Sequence, residues 1–148
     1  MKKKHNPCEI CSFRNPRATA TALIIRNKKI LLAKRLHAPF KGVWDLPGGY
    51  MNEKETPEQT MRREIKEELG VSPTELRFLN FFPGFAYWKG EKFPILSLVF
   101  KVTLPQKTLT KSEENSALQW FSKKELPRKI AFDSNNVILQ YAKRRGLI

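Results

Sequence analysis

The most constraining feature of this sequence is a helix signal over residues 57–69 with two different faces. Thr56 is a good N-cap residue, Pro57 suits the first helical position, and Gly70 suits the C-terminal stop. On a helical wheel, an apolar stripe runs beside an acidic one. The apolar members are Met61, Ile65 and Leu69, and the acidic members are Glu64, Glu67 and Glu68. Because the apolar stripe must face a core, the acidic stripe is expected at the edge of the buried surface.

The acidic stripe needs a chemical reason, because three carboxylates within one turn repel each other. A divalent cation such as Mg²⁺ would provide one, since it prefers oxygen ligands and commonly combines carboxylates with substrate phosphates. The alternative is a solvated acidic face, the usual fate of a charge run. Gly48 and Gly49 precede the helix and favour the metal site, because a bare backbone lets a carbonyl or a phosphate approach closely.

Together with the acidic stripe, these glycines belong to a recognisable pattern. Gly49, Glu55 and the segment 63–71, Arg-Glu-Ile-Lys-Glu-Glu-Leu-Gly-Val, resemble the Nudix box at every defined position. Weaker resemblance over residues 44–48 and 120–127 extends it along most of the chain. The resemblance implies an α/β fold, an α/β/α sandwich with a mixed sheet. It also implies hydrolysis, with Mg²⁺ or alternatively Mn²⁺, of a phosphoanhydride bond in a nucleoside diphosphate linked to another group.

The resemblance also assigns roles to residues of the box. The implied metal ligands are Glu64, Glu67, Glu68 and the carbonyl of Gly49, and Glu55 is expected to pair with Arg63. In the implied chemistry a water attacks phosphorus, and a carboxylate must accept its proton. Glu64 is the first choice for this base. The alternative is an acid from a distant loop, Glu113 or Glu114, although that pair also fits a solvated loop.

Substrate contacts are expected from two further places. Arg35 lies in the strand before the box and resembles basic residues that contact substrate phosphate in relatives, although a surface arginine also fits. Residues 83–94 are expected to form an aromatic loop, in which Tyr87 and Trp88 could stack on a nucleotide base. The alternatives are a hairpin that packs its own aromatic rings, or a contact in a homodimer.

Residues 1–17 are expected to form an arm before a domain at residues 18–148. His5, Cys8 and Cys11 resemble half of the zinc ribbon of NADH-pyrophosphatase-like Nudix proteins. A structural zinc takes four ligands, and the chain offers only His37 as another histidine, so structural Zn²⁺ is not expected. The alternative is a zinc shared between chains or held with His5. The missing first half of the ribbon and the absence of a Ser-Gln-Pro signature after residue 71 count against NADH specificity.

The secondary structure expected around the box is a set of strands and a final helix. Strands are predicted at residues 19–26 and 29–36, with a hairpin at residues 27–28, and at 43–46, 75–82, 95–103 and 118–121. Asp133 or Ser134 is expected to cap a helix that ends near Gly146.

The composition limits the partners. The formal net charge is +14, which favours acidic ligands such as nucleotides or nucleic acid, although a solvated lysine-rich surface is an equal alternative. Apolar runs are too short to span a membrane, so a cytoplasmic protein without a membrane partner is expected. The leading substrate is ADP-ribose. The alternatives are a nucleoside triphosphate pyrophosphatase and a non-catalytic domain that binds nucleotide or RNA.

Overall fold

A seven-stranded mixed sheet with one helix on each face makes up the part of the chain that the computed structural model describes, residues 8–148. The elements are β1 (Arg17–Arg26), β2 (Lys29–Arg35), β3 (Trp44–Asp45), β4 (Gly48–Tyr50), α1 (Pro57–Leu69), β5 (Glu75–Trp88), β6 (Glu91–Thr103), β7 (Asn115–Ser122) and α2 (Asp133–Arg144). The expected α/β class with a mixed sheet is confirmed.

Strand β1 organises the sheet because it pairs with three neighbours. It runs parallel to β6 over residues 17–24, antiparallel to β4 over residues 19–21, and antiparallel to β2 at its end. Strand β2 continues to β3 and β7, and β6 continues to β5 at the other end of the sheet. The parallel β1–β6 pair and the short β4 together bring the residues before α1 to the middle of the sheet.

Two apolar cores lie on opposite faces of the sheet. Side chains of successive strand residues point to opposite faces, and β1 follows this rule: Ala22 and Ile24 pack with α1, whereas Leu23 packs with α2. The α1 side buries Met61, Ile65 and Leu69, and the α2 side buries Ile138, Leu139 and Ala142. The predicted apolar stripe of α1 therefore faces the sheet.

Helix α1 has the predicted bounds, and its ends show why. The Thr56 hydroxyl accepts a hydrogen bond from the Gln59 backbone N–H at 3.2 Å, and the Gln59 side chain accepts one from the Thr56 N–H at 2.8 Å. This capping box satisfies two donors that the first turn would otherwise leave free. Gly70 ends the helix with φ 73°, a conformation that glycine adopts without a steric penalty.

The predicted aromatic loop at residues 83–94 is wrong. Strands β5 and β6 run through this segment as one long hairpin, and Lys89 and Gly90 form its tip with φ values of 47° and 77°. The aromatic residues of this segment suit a strand. The prolines are tolerated because Pro83 lies on the strand at the end of the sheet, and Pro94 lies just before the part of β6 that pairs with β1.

The start of α2 also differs from the prediction. Its N-cap residue is Phe132 with φ 63°, and no side chain caps the helix by a hydrogen bond, so neither Asp133 nor Ser134 is the cap. The backbone at Phe132 is held by packing against the Phe40 ring at 4.9 Å between ring centroids. The other predicted turn, at residues 27–28, is confirmed as the β1–β2 hairpin. In the described residues, neither α-helix is long and apolar enough to cross a membrane.

Candidate active site

A cavity of about 400 Å³ opens between β4, the β5–β6 hairpin and the N-terminal end of α2. It brings together most of the residues that the sequence singled out, which are Arg35, Gly49, Arg63, Glu64, Tyr87 and Trp88. A smaller hollow of about 270 Å³ adjoins it and is lined by Glu68, Glu114 and Asn115, among others. The two spaces share the wall formed by Arg35, Asp45 and Gly48.

The two glycines of β4 allow the close packing of this site. A Cβ atom on Gly48 would overlap the carbonyl oxygen of Ala20 on β1, and Gly48 has φ 150°. A Cβ atom on Gly49 would overlap the carboxylate of Glu64. A larger residue at Gly48 would therefore push β4 away from the β1 backbone, whereas one at Gly49 would displace the carboxylate of Glu64.

Arg63 holds the segment before α1 against the helix. Its Nε donates to Glu55 Oε1 at 2.6 Å, and its Nη2 donates to Glu55 Oε2 at 3.0 Å and to the Tyr50 carbonyl at 2.9 Å. Glu55 also accepts from the Asn52 N–H and the Thr60 hydroxyl. These donors stabilise the charged form and lower the pKa of Glu55 to about 2. The structure thus brings together the pair that the resemblance implied.

Two of the three residues of the acidic stripe are buried rather than at the edge of the buried surface. Glu64 and Glu68 keep 8% and 7% of their surface exposed. Burial raises the pKa of Glu64, although the neighbouring Arg63 at 2.7 Å opposes this effect. Burial, together with the charge of Glu64, raises the pKa of Glu68 well above its usual range. Both carboxylates are therefore costly in the charged form.

Glu67 stands apart from this pair. Its side chain is 56% exposed and contacts Arg63 Nη1 at 3.2 Å, the i, i+4 neighbour that was expected to offset one charge. Within residues 8–148, no three histidine, cysteine or acidic side chains already converge as a cage for a metal ion. Glu67 is nevertheless linked to Glu64, because both carboxylates contact the same nitrogen, Arg63 Nη1.

The oxygen atoms of this region nevertheless suit the coordination of a divalent cation. Glu114 is close enough to raise the pKa of both Glu64 and Glu68, so the buried carboxylates face additional negative charge. Asn115 is 5% exposed, and its Oδ1 has no hydrogen-bond partner although its amide donates to Ser112. A buried acceptor without a donor is rare, and a hydrated cation between these oxygens would satisfy it.

Arg35 is fixed by residues that the sequence analysis did not single out. Its Nη1 donates to Asp45 Oδ2 at 2.8 Å and its Nε donates to the Pro39 carbonyl at 2.7 Å. Asp45 also accepts from Asn135 Nδ2 at 2.7 Å, and burial raises its pKa despite the arginine. An aspartate between Trp44 and Leu46 was the available signal, because a charged residue in a short apolar segment needs a buried partner.

The aromatic side of the cavity contains one half-buried ring and one exposed ring. Tyr87 is half-buried and packs edge-on against Phe40 at 6.0 Å between centroids. Trp88 is 62% exposed beside the turn of the hairpin. Lys89 Nζ lies 5.7 Å from the Trp88 ring centroid, which places a positive charge next to this ring.

Of the two alternative acids, Glu114 lines both spaces, whereas Glu113 lines neither. The backbone carbonyl of Glu113 instead contacts the His37 ring at 2.9 Å. Both side chains are exposed, so only the position of Glu114 at the two spaces distinguishes it from Glu113.

The cysteines lie away from this site. Cys8 and Cys11 are both free and exposed, and hydrogen bonds from the Cys11 and Ile10 backbone lower the pKa of the Cys8 thiol. The Asn15 side-chain amide donates to Cys11 Sγ at 3.1 Å. The remaining predicted partner, His5, lies outside the described residues.

Comparison with known proteins places this arrangement in a family context. The model of the NUDIX domain matches residues 15–141. An ADP-ribose pyrophosphatase of Methanocaldococcus jannaschii is 33% identical over 132 residues, which cover 87% of this chain and 75% of that protein. The NAD-capped RNA hydrolase NudC of Haemophilus influenzae is 30% identical over 120 residues, 78% of this chain, but this match spans only 44% of the relative.

A solved structure supports the fold independently. The MutT NUDIX hydrolase of Burkholderia pseudomallei superposes with a TM-score of 0.73 and 30% identity. The superposition covers 85% of this chain and 98% of that one. The sandwich of two helices on a mixed sheet is therefore shared with this structure along nearly its whole length.

Proposed function

Because this chain belongs to the NUDIX domain family and is a Nudix hydrolase that acts on a nucleotide substrate, we propose that it hydrolyses ADP-ribose to AMP and ribose 5-phosphate with Mg²⁺. The observation that carries the proposal is that one cavity, of about 400 Å³, is lined both by the buried carboxylate of Glu64 and by the rings of Tyr87 and Trp88. Such a cavity offers a place for phosphates at one end and for a base at the other. The similarity to a protein named ADP-ribose pyrophosphatase over most of both chains supports the same substrate.

The metal is proposed to be held by Glu64, Glu67, Glu68 and the Gly49 carbonyl. When bound, Mg²⁺ would neutralise phosphate charge and increase the acidity of water. Mn²⁺ could occupy the same oxygen ligands. The Glu55–Arg63 pair does not touch substrate in this scheme, and it positions Glu64 by holding the residues before α1 against the helix.

The reaction is a displacement at phosphorus. A water oxygen forms a bond to one phosphorus of the diphosphate, and the bond from that phosphorus to the bridging oxygen breaks, with its electron pair remaining on the departing phosphate. Glu64 accepts the proton of the water, because its carboxylate faces the cavity beside Gly49. Arg35, fixed by Asp45, is placed to donate to a phosphate oxygen.

The experiment is a comparison of kcat/KM for ADP-ribose, NADH, dinucleoside polyphosphates and nucleoside triphosphates with Mg²⁺, with products separated by chromatography. We expect ADP-ribose to give AMP and ribose 5-phosphate with the highest kcat/KM. A nucleoside triphosphate that proved better and released pyrophosphate would replace the proposal with the pool-cleaning activity. Tight nucleotide or RNA binding without cleavage of any substrate would indicate a non-catalytic domain.

A further inference from the structure

A further concave site lies at the C-terminal end of α2, which is the end remote from the active-site cavity. Four basic side chains line it, Arg77 on β5, Lys101 on β6, and Arg144 and Arg145 at the end of α2. We call the recess that these four side chains line the basic hollow. Its volume is about 270 Å³. The N-terminal end of α2 borders the first cavity through Ser134 and Asn135. A helix of 12 residues is roughly 18 Å long, so the two sites are separate.

The positive charges of the basic hollow have no counter-charge in the described part of the chain. All ion pairs within residues 8–148 involve Arg35 or Arg63, so none of the four has a carboxylate within 4.0 Å. Arg77 stands directly opposite Lys101 in the β5–β6 register. Like charges at opposed positions of an antiparallel pair destabilise the sheet. An anion bound between them would remove that cost.

Helix electrostatics explain only half of this arrangement. Arg144 and Arg145 lie at the C-terminal end of α2, where basic side chains interact favourably with the helix dipole. Arg77 and Lys101 come from the sheet and have no such reason to lie there. Residues from three elements, spread over positions 77 to 145 of the sequence, therefore meet around one recess.

We propose that the basic hollow binds the phosphate groups of a single-stranded RNA. Arginine forms paired hydrogen bonds with phosphate oxygens, and three of the four side chains are arginines. The half-buried ring of Tyr141 also lines the recess, and an aromatic ring beside basic side chains is the combination that binds single strands through bases and phosphates. The net charge of +14 attracts anions, and it attracts a polyanion more strongly than it attracts a single phosphate group. The proposal goes beyond hydrolysis of ADP-ribose and does not depend on it.

The test measures binding of a short fluorescent single-stranded RNA by anisotropy, as a function of salt. In the variant R77Q/K101Q/R144Q, we expect affinity at low salt to fall at least tenfold. Each lost phosphate contact lowers the slope of log K against log salt by about 0.7 for single strands, so three contacts lower it by roughly 2. The control K123Q/K124Q/K129Q removes the same charge from exposed positions outside the hollow and should keep the wild-type slope.

The remaining measurements decide between sources of the anion. Equal losses in both variants would overturn the proposal, because binding would then follow total charge. Displacement of the RNA by an equal concentration of inorganic triphosphate would overturn it in favour of a small-anion site. Hollow-dependent binding of anionic lipid vesicles without RNA binding would overturn it in favour of a membrane contact. The ADP-ribose kcat/KM should stay unchanged in both variants, which separates this proposal from the proposed function. If the triple variant failed to fold, R77Q alone should give about one third of the slope change.

Discussion

The α-carbon of Gly49 lies so close to the carboxylate of Glu64 that a methyl group on the glycine would overlap both carboxylate oxygens. The contact joins β4 to α1 and fixes the position of a carboxylate that faces the cavity. It also makes Gly49 a sensitive position, because the carboxylate of Glu64 is held on its other side by Arg63.

The first prediction follows from this contact. Gly49→Ala should lower kcat by on the order of a hundredfold, because a displacement of about 1 Å at a reacting group has that effect. Overpacking should also cost about 1–3 kcal/mol of stability. Gly146→Ala is the control: Gly146 has φ 66° and open space around it, so the variant should lose about 1 kcal/mol but no activity. Steady-state kinetics and thermal unfolding measure both effects, and full activity in Gly49→Ala would contradict the placement of Glu64.

The second prediction separates metal binding from stability. Glu68→Gln removes a buried carboxylate whose pKa is raised, so the charged form costs stability at neutral pH. We expect this variant to have a higher Tm than the wild type in EDTA, but a smaller increase in Tm on adding Mg²⁺. Glu67→Gln should leave the Tm in EDTA nearly unchanged, because Glu67 is exposed, and should also reduce the Mg²⁺ effect.

Turnover tests the same assignment. In both variants kcat should fall by more than the ~10–100-fold that is typical when a residue that hydrogen-bonds to a metal ligand is replaced. Near-wild-type turnover in both would show that these glutamates do not hold the metal.

The third prediction concerns pH. The pKa of Glu55 is lowered from 4.5 to about 2 in the folded protein, so its stabilising effect is complete above the unfolded value and disappears as the pH falls towards 2. Glu55→Gln should therefore lower Tm at pH 6, and the difference from the wild type should shrink between pH 5 and pH 2. Glu53→Gln is the control, because Glu53 is exposed and has no ion pair among residues 8–148, and this variant should leave Tm at pH 6 nearly unchanged. A difference for Glu55→Gln that stayed constant down to pH 2 would argue against the Arg63 pair as its cause.

The fourth prediction concerns the base. Stacking is worth about 1–3 kcal/mol per base, so Trp88→Ala or Tyr87→Ala should reduce kcat/KM roughly ten- to hundredfold, depending on which ring carries the base. Phe81→Ala provides the control, because Phe81 is an exposed aromatic residue on the same strand that does not line the cavity. If neither Trp88→Ala nor Tyr87→Ala changed kcat/KM for ADP-ribose, the base would not stack on either ring and would bind elsewhere in the cavity.

Local sequence determined the parts of this protein whose partners are close along the chain. Thr56, Gln59 and Gly70 set the ends of α1 through bonds within three or four residues, and the spacing of Met61 and Ile65 set its buried face. The Glu55–Arg63 pair was also accessible, because eight residues separate its members and the box pattern joins them.

Tertiary structure decided what lies against each face. Sequence places Glu67 and Glu68 together on the acidic stripe, but only packing against β4 buries Glu68 and leaves Glu67 in solvent. Asn135 contacts Asp45 across 90 positions of the chain, and no local preference could have indicated that bond. The length of the β5–β6 hairpin was likewise set by pairing between strands, because aromatic and proline residues alone fit either a loop or a strand. A helix is specified by bonds that it makes with itself, whereas a strand and a buried carboxylate are specified by what the rest of the chain brings against them.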